Sequence, residues 1–355
     1  MKSLFYFVTR GCLGLILIAL SCYSCIELGE EQVPSFEEFQ WSIPEELVEE
    51  GNAFDLIKSI DEPKFINADE VDFLSDDDLV IGFQGAETIR VYPFKILDYH
   101  EIVNDEIDGS KVAITYCPLT GTSLAWSRII NGTETTFGVS GLLFNANLLP
   151  FDRATESTWS QMLGRGVRGE YNEQDLSTYP LVEMPWSQWK EVYPNSEVLS
   201  YETGFDINYD QYPLGNYRQT NSLIFNVKTF DNRLFAKERT LGVVVDSVAR
   251  VYRFDLMDPD GLITVVNDTI QNQPIVVVGN QHFMVAFSAE GFERIVPVQG
   301  ELPIILSDNQ GNSYDLFGKA VSGPNSGERL NQPDAYMVYF FAFGAMFPAP
   351  EIFEF

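Results

Sequence analysis

The sequence predicts a mainly β, β-rich α+β protein, built as a tandem duplication of a small twisted or barrel-like sheet unit. Each unit is expected to end in a short aromatic helix. Three observations predict this fold: short β-prone runs between turn signals, a second copy of the pattern about 160 residues later, and aromatic residues at helical spacing near the end of each copy. With 355 residues, of which 45% are hydrophobic, the chain can bury a substantial core.

The β-prone runs begin at Leu79, with LVIGF, TIRVYPF, KVAITY, SLAWSRII and TTFGVSG. They are rich in β-branched and aromatic residues, and Asp108-Gly109 and Asn131-Gly132 are hairpin signals between them. A helix is expected in PWSQWKEVYP, where Trp186, Trp189 and Tyr193 share one helical face. That aromatic stripe is expected to face the core.

The second half repeats the order of the first. VYPF at 91–94 recurs as VYRF at 251–254, and the triplet VND at 103–105 recurs at 266–268. From Gly164 onward the matches keep a constant spacing of 154 residues. The sequence therefore predicts a first repeat at 75–199, a Tyr-rich connection at 200–238, and a second, degenerate repeat at 239–355.

The first 25 residues have the pattern of a lipoprotein-type signal. Lys2 and Arg10 flank an apolar run that is too short to span a bilayer comfortably, and Cys22 and Cys25 each follow a serine. We expect lipid on one of these two cysteines, and hence a lipid-anchored, extracytoplasmic protein of the bacterial cell envelope with the lipid membrane as a partner. The alternative is an ordinary secretory signal.

Residues 26–74 are predicted to be an acidic tether and a helix-prone lead-in, with the helix around 44–60. The acidic cluster at 75–78 is expected to be a solvated turn. A calcium loop of the EF-hand type is not supported there, because Ile81 stands where such a loop needs glycine.

Charge and motifs exclude several functions. The formal charge of −30 comes from 52 acidic and 22 basic residues, so nucleic acid is not expected as a partner. The run GRGVRG at 164–169 matches G-x-G-x-x-G but lacks the strand and helix of a dinucleotide site. Once Cys12 leaves with the signal and a second cysteine takes the lipid, Cys117 is the remaining thiol of the protein body, so no internal disulfide framework is expected.

The stretch at 97–126 is the candidate functional segment, and the second copy tests which of its residues are special. Cys117 aligns with Asn280, and His100 and Glu101 are also lost, whereas the strand pattern is retained. A group needed only for folding would be expected in both copies. The predicted ligand or metal residues are His100, Glu101, Cys117 and Asp152, with Asn104, Asp105 and Thr120 in support.

Three functions remain open for this segment. In the first, the residues form a pocket for an unknown small ligand or for a zinc or copper ion, which thiolate, imidazole and carboxylate groups suit. In the second, Cys117 is an enzyme nucleophile activated by His100. In the third, the protein is a structural envelope scaffold. Binding is preferred over catalysis, because a third orienting group is missing and acidic surroundings raise a thiol pKa.

The runs YHEIVND, VAITYCPLTGTSLAW and WSQWKEVYPNSEVLS resemble the bacterial proteins grouped as domain of unknown function 3179. The resemblance covers roughly residues 75–350 and implies an exported protein or lipoprotein, with no activity assigned. Many members have the motif C-P-L-C, where this chain has Thr120 in place of the second cysteine. A lone Cys117 cannot cycle between a dithiol and an internal disulfide.

Overall fold

The computed structural model describes residues 40–354. The predicted signal, with Cys22 and Cys25, and the first part of the acidic tether lie outside this range. The described part is rich in strands and has short helices, which confirms the mainly β prediction. Within residues 40–354 no helix is long and apolar enough to cross a membrane.

The first half contains sixteen strands and two α-helices within the described residues. Its helices are α1, Phe94–His100, and α2, Trp186–Val192. Its strands are β1 Val48–Glu50, β2 Phe65–Asn67, β3 Leu79–Gln84, β4 Ile89–Pro93, β5 Ile102–Ile107, β6 Ser110–Cys117, β7 Thr122–Ser127, β8 Ile129–Ile130, β9 Thr133–Glu134, β10 Phe137–Phe144, β11 Asn147–Asp152, β12 Thr158–Ser160, β13 Arg165–Arg168, β14 Thr178–Tyr179, β15 Val182–Pro185 and β16 Glu197–Leu199.

The second half, as far as the structure describes it, contains eleven strands and one α-helix, α3, Phe340–Met346. Its strands are β17 Arg239–Val245, β18 Val248–Arg253, β19 Thr264–Ile270, β20 Gln273–Gly279, β21 Met284–Ser288, β22 Ile295–Pro297, β23 Ile304–Asp308, β24 Ser313–Asp315, β25 Ala320–Ser322, β26 Asp334–Tyr339 and β27 Glu351–Ile352. Single 3-10 turns lie at Glu45–Leu47, Ala68–Glu70, Tyr217–Gln219 and Phe254–Leu256.

Three kinds of sheet recur in the same chain order. A mixed sheet, with one parallel strand pair, has the order β15-β3-β4-β16-β2 in the first half and β26-β17-β18-β27 in the second. A meander sheet has the orders β14-β7-β6-β5 and β19-β20-β21. A hairpin sheet has the orders β1-β10-β11-β12-β13 and β22-β23-β24-β25.

The mixed sheets of the two halves also share their register. Gly82 pairs with Val91 in the first half, and Gly242 pairs with Val251 in the second, so VYPF and VYRF occupy the same strand position. Both glycines lie under an aromatic ring, because an added Cβ would fall 1.7 Å from Trp189 at Gly82 and 2.3 Å from Phe343 at Gly242. The two halves thus repeat one architecture, and its origin in a tandem duplication stays a prediction.

The helices that end the mixed sheets pack across the molecule. In α2, Trp189 shares a hydrophobic core with second-half residues, and its ring lies 6.3 Å from that of Phe317. In α3, Phe340 and its neighbours share a core with Ala146 and Met162 of the first half. Each half therefore completes its core with the aromatic helix of the other.

The two predicted hairpins are formed. Asp108 and Asn131 have φ of 50° and 49°, and the glycines that follow them have φ of 81° and 84°. Two successive residues with positive φ are what a tight two-residue β-hairpin needs, and glycine tolerates that conformation without steric cost. These turns join β5 to β6 and β8 to β9.

The helix predicted around 44–60 is wrong. The segment forms only the 3-10 turn Glu45–Leu47, and then β1, which pairs with β10. Further along, Ile60 is buried and bridges Val103 of β5. The glutamates of residues 44–60 are good helix formers, but helix propensity is a weak signal, and pairing with an existing sheet outweighs it here. The lead-in at 40–74 is therefore part of the folded body.

Candidate functional site

Cys117 ends β6 and opens a turn that leads into β7. Its carbonyl oxygen accepts hydrogen bonds from Gly121 N at 2.8 Å and Thr120 N at 3.2 Å. In the first half Tyr116 pairs with Ser123, whereas at the equivalent place in the second half Gly279 pairs with Met284. The Cys117 turn is thus two residues longer than its counterpart.

The Cys117 side chain is buried, with 1% exposure. Its Sγ lies 3.8 Å from the carbonyl oxygen of Ala146, and Thr120 and the Leu148 backbone also contact it. Burial raises the pKa of Cys117 to about 11, and the charge of Glu101 adds to this shift. The thiol therefore carries its proton at neutral pH.

Glu101 follows α1 with φ of 58° and ψ of −30°. Its carbonyl oxygen accepts a hydrogen bond from Tyr116 N at 2.7 Å, which fixes the residue beside the end of β6. Burial of its carboxyl raises the pKa of Glu101 to about 8, and the charge of Asp98 acts in the same direction. Among residues 40–354, no cation pairs with this carboxyl.

Asp98, one turn earlier on α1, does have a cationic partner. Arg218 Nη2 lies 2.5 Å from Asp98 Oδ1 and 2.9 Å from the Tyr116 hydroxyl. Burial still raises the pKa of Asp98 to about 7, while Arg218 opposes the shift. The Arg218 guanidinium lies 4.1 Å from the centre of the Tyr212 ring. The hydroxyl of Tyr212 is out of solvent and has no hydrogen-bond partner in the described part of the chain.

His100 is engaged away from Cys117. Its Nδ1 donates to the carbonyl oxygen of Lys58 at 2.6 Å, which leaves Nε2 to accept from the Tyr209 hydroxyl at 2.6 Å. Burial lowers the pKa of His100, so the ring is neutral. No hydrogen bond joins it to Cys117 within residues 40–354.

Asp152 lies in the hairpin sheet and organises its own turn. Its carboxylate accepts from Thr155 N at 2.8 Å and from Trp159 Nε1 at 3.0 Å. Asp308 has the same position in the second half, where Gln310 N and the Tyr314 hydroxyl donate to it at 2.8 Å each. A carboxylate that both copies keep for the same turn has a structural role.

The three supporting residues are also placed by named contacts. The carbonyl oxygen of Thr120 accepts from Tyr339 N at 2.8 Å, which joins the Cys117 turn to the second half. Asn104 binds both main-chain polar groups of Phe137, at 2.8 Å each. Asp105 accepts from Arg90 at 2.7 Å and from Tyr92 at 2.6 Å.

The network around Asp105 has a duplicate in the second half. There, Asp268 accepts from Arg250 and Tyr252. Arg90 and Arg250 also pair with the equivalent acids Glu197 and Glu351 of the adjoining parallel strands. Asp105, in the meander sheet, therefore ties that sheet to the mixed sheet.

The structure thus places Glu101 near enough to Cys117 for its charge to raise the pKa of the thiol, and leaves His100 and Asp152 with other partners. Within the described range, no three side chains of His, Cys, Asp or Glu are grouped closely enough to hold a metal ion. Sequence reasoning missed Asp98, Tyr212 and Arg218. Asp98 could have been found by its spacing of three residues from Glu101, but the other two come from a connection whose position the sequence pattern does not set.

A separate cleft of about 350 Å³ lies between the halves. Glu183, one of three charged residues in its wall with Arg329 and Asp334, already accepts hydrogen bonds from Ser123 and, at 2.8 Å, from Arg239. This carboxylate is therefore balanced, in contrast to Glu101.

No curated protein and no solved structure matches the chain. One family model does match, over residues 54–350, and its description is "Protein of unknown function (DUF3179)". The match begins at residue 54 and so includes part of the lead-in that packs on the first half. Because it spans most of the sequence, the chain belongs to the DUF3179 family.

Proposed function

We propose that the protein is a binding module for a small cationic ligand, held in its first half by Glu101 and Cys117. One observation carries the proposal: a largely shielded carboxyl lies beside a buried thiol without a balancing cation in the described residues. Burying an unpaired carboxyl is unfavourable unless a partner offsets it. A bound cation would favour the ionised form of both groups.

The ligand can come from two chemical sources. Thiolate and carboxylate donors suit a zinc or copper ion, with Tyr212, Thr120 or water to complete the coordination. An organic ammonium would use the Glu101 carboxylate and the rings of Tyr212 and Tyr217 near Cys117. Among residues 40–354 no three such donors are grouped, so a metal ion at Glu101 and Cys117 would need further ligands.

The second half supports a local function for this site. At the positions of His100, Glu101 and Cys117 it has Ile263, Thr264 and Asn280. It keeps the counterpart of Asp105, which has a framework role in both copies. What the halves do not share is thus concentrated around the Cys117 turn.

The thiol-enzyme alternative has less support. The pKa of Cys117 is raised and His100 is held by Lys58 and Tyr209, so neither feature activates the thiol. A structural scaffold remains the outcome to be expected if no ligand binds.

The proposal can be tested by calorimetric titration of protein purified without chelators or affinity tags. The probes are Zn²⁺, Cu⁺ under reducing conditions, and ethylammonium, and metal content is measured before titration. We expect one probe to bind and to release protons, and Glu101→Gln and Cys117→Ser each to weaken binding about tenfold or more, which corresponds to roughly 1.4 kcal/mol.

The matched control is His282→Gln, which removes the second histidine of the sequence and should leave affinity unchanged. If neither the metals nor ethylammonium binds, or if the two site variants bind like wild type, the scaffold explanation replaces this one. A rapidly alkylated Cys117 with a low pKa would instead support the enzyme.

We also propose that the chain is exported and lipid-anchored at the bacterial envelope through Cys22 or Cys25. The support is the basic, apolar and cysteine-containing pattern of the first 25 residues. Detergent phase partitioning of the full-length protein should place it in the detergent phase. A double Cys22→Ser, Cys25→Ser variant should move to the aqueous phase, and equal aqueous partitioning of both proteins would rule out the anchor.

A further inference from the structure

The connection between the halves, residues 200–238, crosses the candidate site as a strap. It contains no strand, and its one regular element is the 3-10 turn Tyr217–Gln219. Main-chain hydrogen bonds tie its two ends to the rest of the protein, at Ser200, Ala236 and Glu238. Between these ends no backbone ladder binds it to the sheets beneath. A segment held by side-chain contacts opens at lower free energy than the strands it covers.

Three side chains of the strap contact the segment that carries Glu101 and Cys117. Tyr209 donates to His100 Nε2 at 2.6 Å, on the residue before Glu101. Tyr217 donates to the carbonyl oxygen of Leu119, in the Cys117 turn, at 2.9 Å. Arg218 binds Asp98, one helical turn before Glu101. The strap thus closes over the helix end and the turn that form the site.

Arg218 makes the most connected of these contacts. Besides Asp98, it donates to the hydroxyls of Tyr116 in β6, at 2.9 Å, and of Tyr339 in β26, at 3.2 Å. It therefore joins the strap to α1, to the strand of Cys117 and to the second half. The other ion pairs from the strap to the first half, Lys64 with Glu202 and Lys95 with Asp210, are longer, at 3.6 and 3.7 Å, and their acidic partners are exposed.

We propose that the strap is a gate over Glu101 and Cys117, and that Arg218 is the latch that holds it closed. This inference rests on the proposed function for its purpose, because a ligand must pass the strap to reach Glu101 and Cys117. Release of the Arg218 contacts exposes the site without unfolding either meander sheet.

The test measures the alkylation rate of Cys117 by a small maleimide in ligand-free protein, across a series of low denaturant concentrations. The signal cysteines are removed by using mature protein with Cys22→Ser and Cys25→Ser. Arg218→Gln should raise the rate about tenfold or more, which is the effect expected from the loss of one charged hydrogen bond. The increase should not depend on denaturant, because local opening exposes little surface.

Arg233→Gln is the matched control. Arg233 belongs to the same strap, but its partners are Asp231 and the carbonyl oxygen of Pro350. Its alkylation rate should equal that of the parent protein. The gate would be overturned if Cys117 were alkylated at equal rates in Arg218→Gln and in the parent protein. It would also be overturned if the alkylation rate rose with denaturant as steeply as the rate of global unfolding does.

Hydrogen exchange of the unmodified chain gives a measurement that does not depend on the folding of a variant. Amides of residues 209–219 should exchange well before those of β6. Exchange of both segments at the rate of global unfolding would contradict a separately opening strap. Neither alkylation nor hydrogen exchange uses a ligand. A titration in which no probe binds would therefore contradict the proposed function and leave the test of the gate unaffected.

Discussion

The first and second halves have the same three sheets in the same order, yet their meander turns have different chemistry. Around the first turn lie a protonated thiol, two carboxyls of raised pKa and an arginine. The second turn is shorter and has Asn280, whose main chain bonds to Phe283. The comparison separates what the fold requires from what the first half has in addition.

The shared features are those that position strands. Gly82 and Gly242 admit an aromatic ring, and Asp105 and Asp268 bind an Arg-Tyr pair of the neighbouring sheet. The unshared features are Glu101 and Cys117, which make no comparable framework contact. Substitutions at shared positions should affect folding in both halves, and substitutions at unshared positions should affect the first half alone.

The largest effect is expected from the paired glycines. Gly82→Ala and Gly242→Ala should each reduce the free energy of unfolding by about 3 kcal/mol or more, because the new methyl group would overlap Trp189 or Phe343. Denaturant unfolding followed by circular dichroism measures both. If Gly242→Ala left the free energy of unfolding unchanged, α3 would not pack on Gly242 as α2 packs on Gly82, and the comparison of the two halves would fail.

The next largest losses of stability are expected from replacing the equivalent aspartates, Asp105 and Asp268, and the two losses should differ. Asp105→Asn is expected to cost about 3 kcal/mol, because it removes the buried one of the two acids that pair with the Arg90 guanidinium and leaves only the more exposed Glu197. Asp268→Asn should cost about 1 to 2 kcal/mol, since its side chain is more exposed. The same unfolding assay decides the order, and a larger loss at Asp268 would contradict it.

Glu101 should make the free energy of unfolding depend on pH, whereas Thr264, at the same position in the second half, has no carboxyl group to do so. Its folded pKa is raised from 4.5 to about 8, so the folded state holds the proton more tightly and the free energy of unfolding falls as pH rises between these values. Allowing for partial exposure, we expect a loss of about 2 kcal/mol that Glu101→Gln lacks.

Asp98 acts in the same direction up to about pH 7, and the histidines act in the opposite direction. The histidine effects are common to both proteins, so the difference between wild type and Glu101→Gln reports Glu101 together with its coupling to Asp98. The measurement is denaturant unfolding at intervals from pH 4 to 9. Parallel curves for the two proteins would show that the carboxyl is not shielded as described.

The smallest losses of stability are expected from replacing the two histidines, and the loss should be larger at His100 than at His282. His100→Gln removes two hydrogen bonds of a buried ring and should cost about 2 kcal/mol. His282→Gln, at a partly exposed position, should change stability by less than about 0.5 kcal/mol. Thermal unfolding measures both, and a stable His100→Gln variant would free that residue for a functional role.

Much of the fold followed from local pattern. Alternation and turn residues predicted β3, β6 and β7 and the two hairpins, and aromatic spacing predicted α2, because each signal depends on neighbours in the chain. The helix around 44–60 was wrong because its state depends on β10, almost one hundred residues away. Helix α1 was missed because its first residue, Phe94, ended the β-prone run TIRVYPF, and no aromatic stripe like that of α2 marked the residues after it.

The site was predicted only in part, for a related reason. The internal comparison identified Glu101 and Cys117, which lie near each other, but also His100, which has other partners. Asp152, proposed as a ligand beside them, bonds within its own turn. Arg218 lies more than one hundred residues from Asp98, and its contact is set by the path of the strap. A single sequence contains no signal for such a path.

The reciprocal packing of α2 and α3 bears on how such a chain could arise. A single ancestral unit would leave its aromatic helix uncovered and would require a second copy to bury it, so it would exist as a symmetric pair. In such a pair both turns come from one gene and must remain identical. Fusion into one chain removes that constraint, so one turn can acquire a thiol and a carboxyl while its twin keeps only the contacts that hold the pair together.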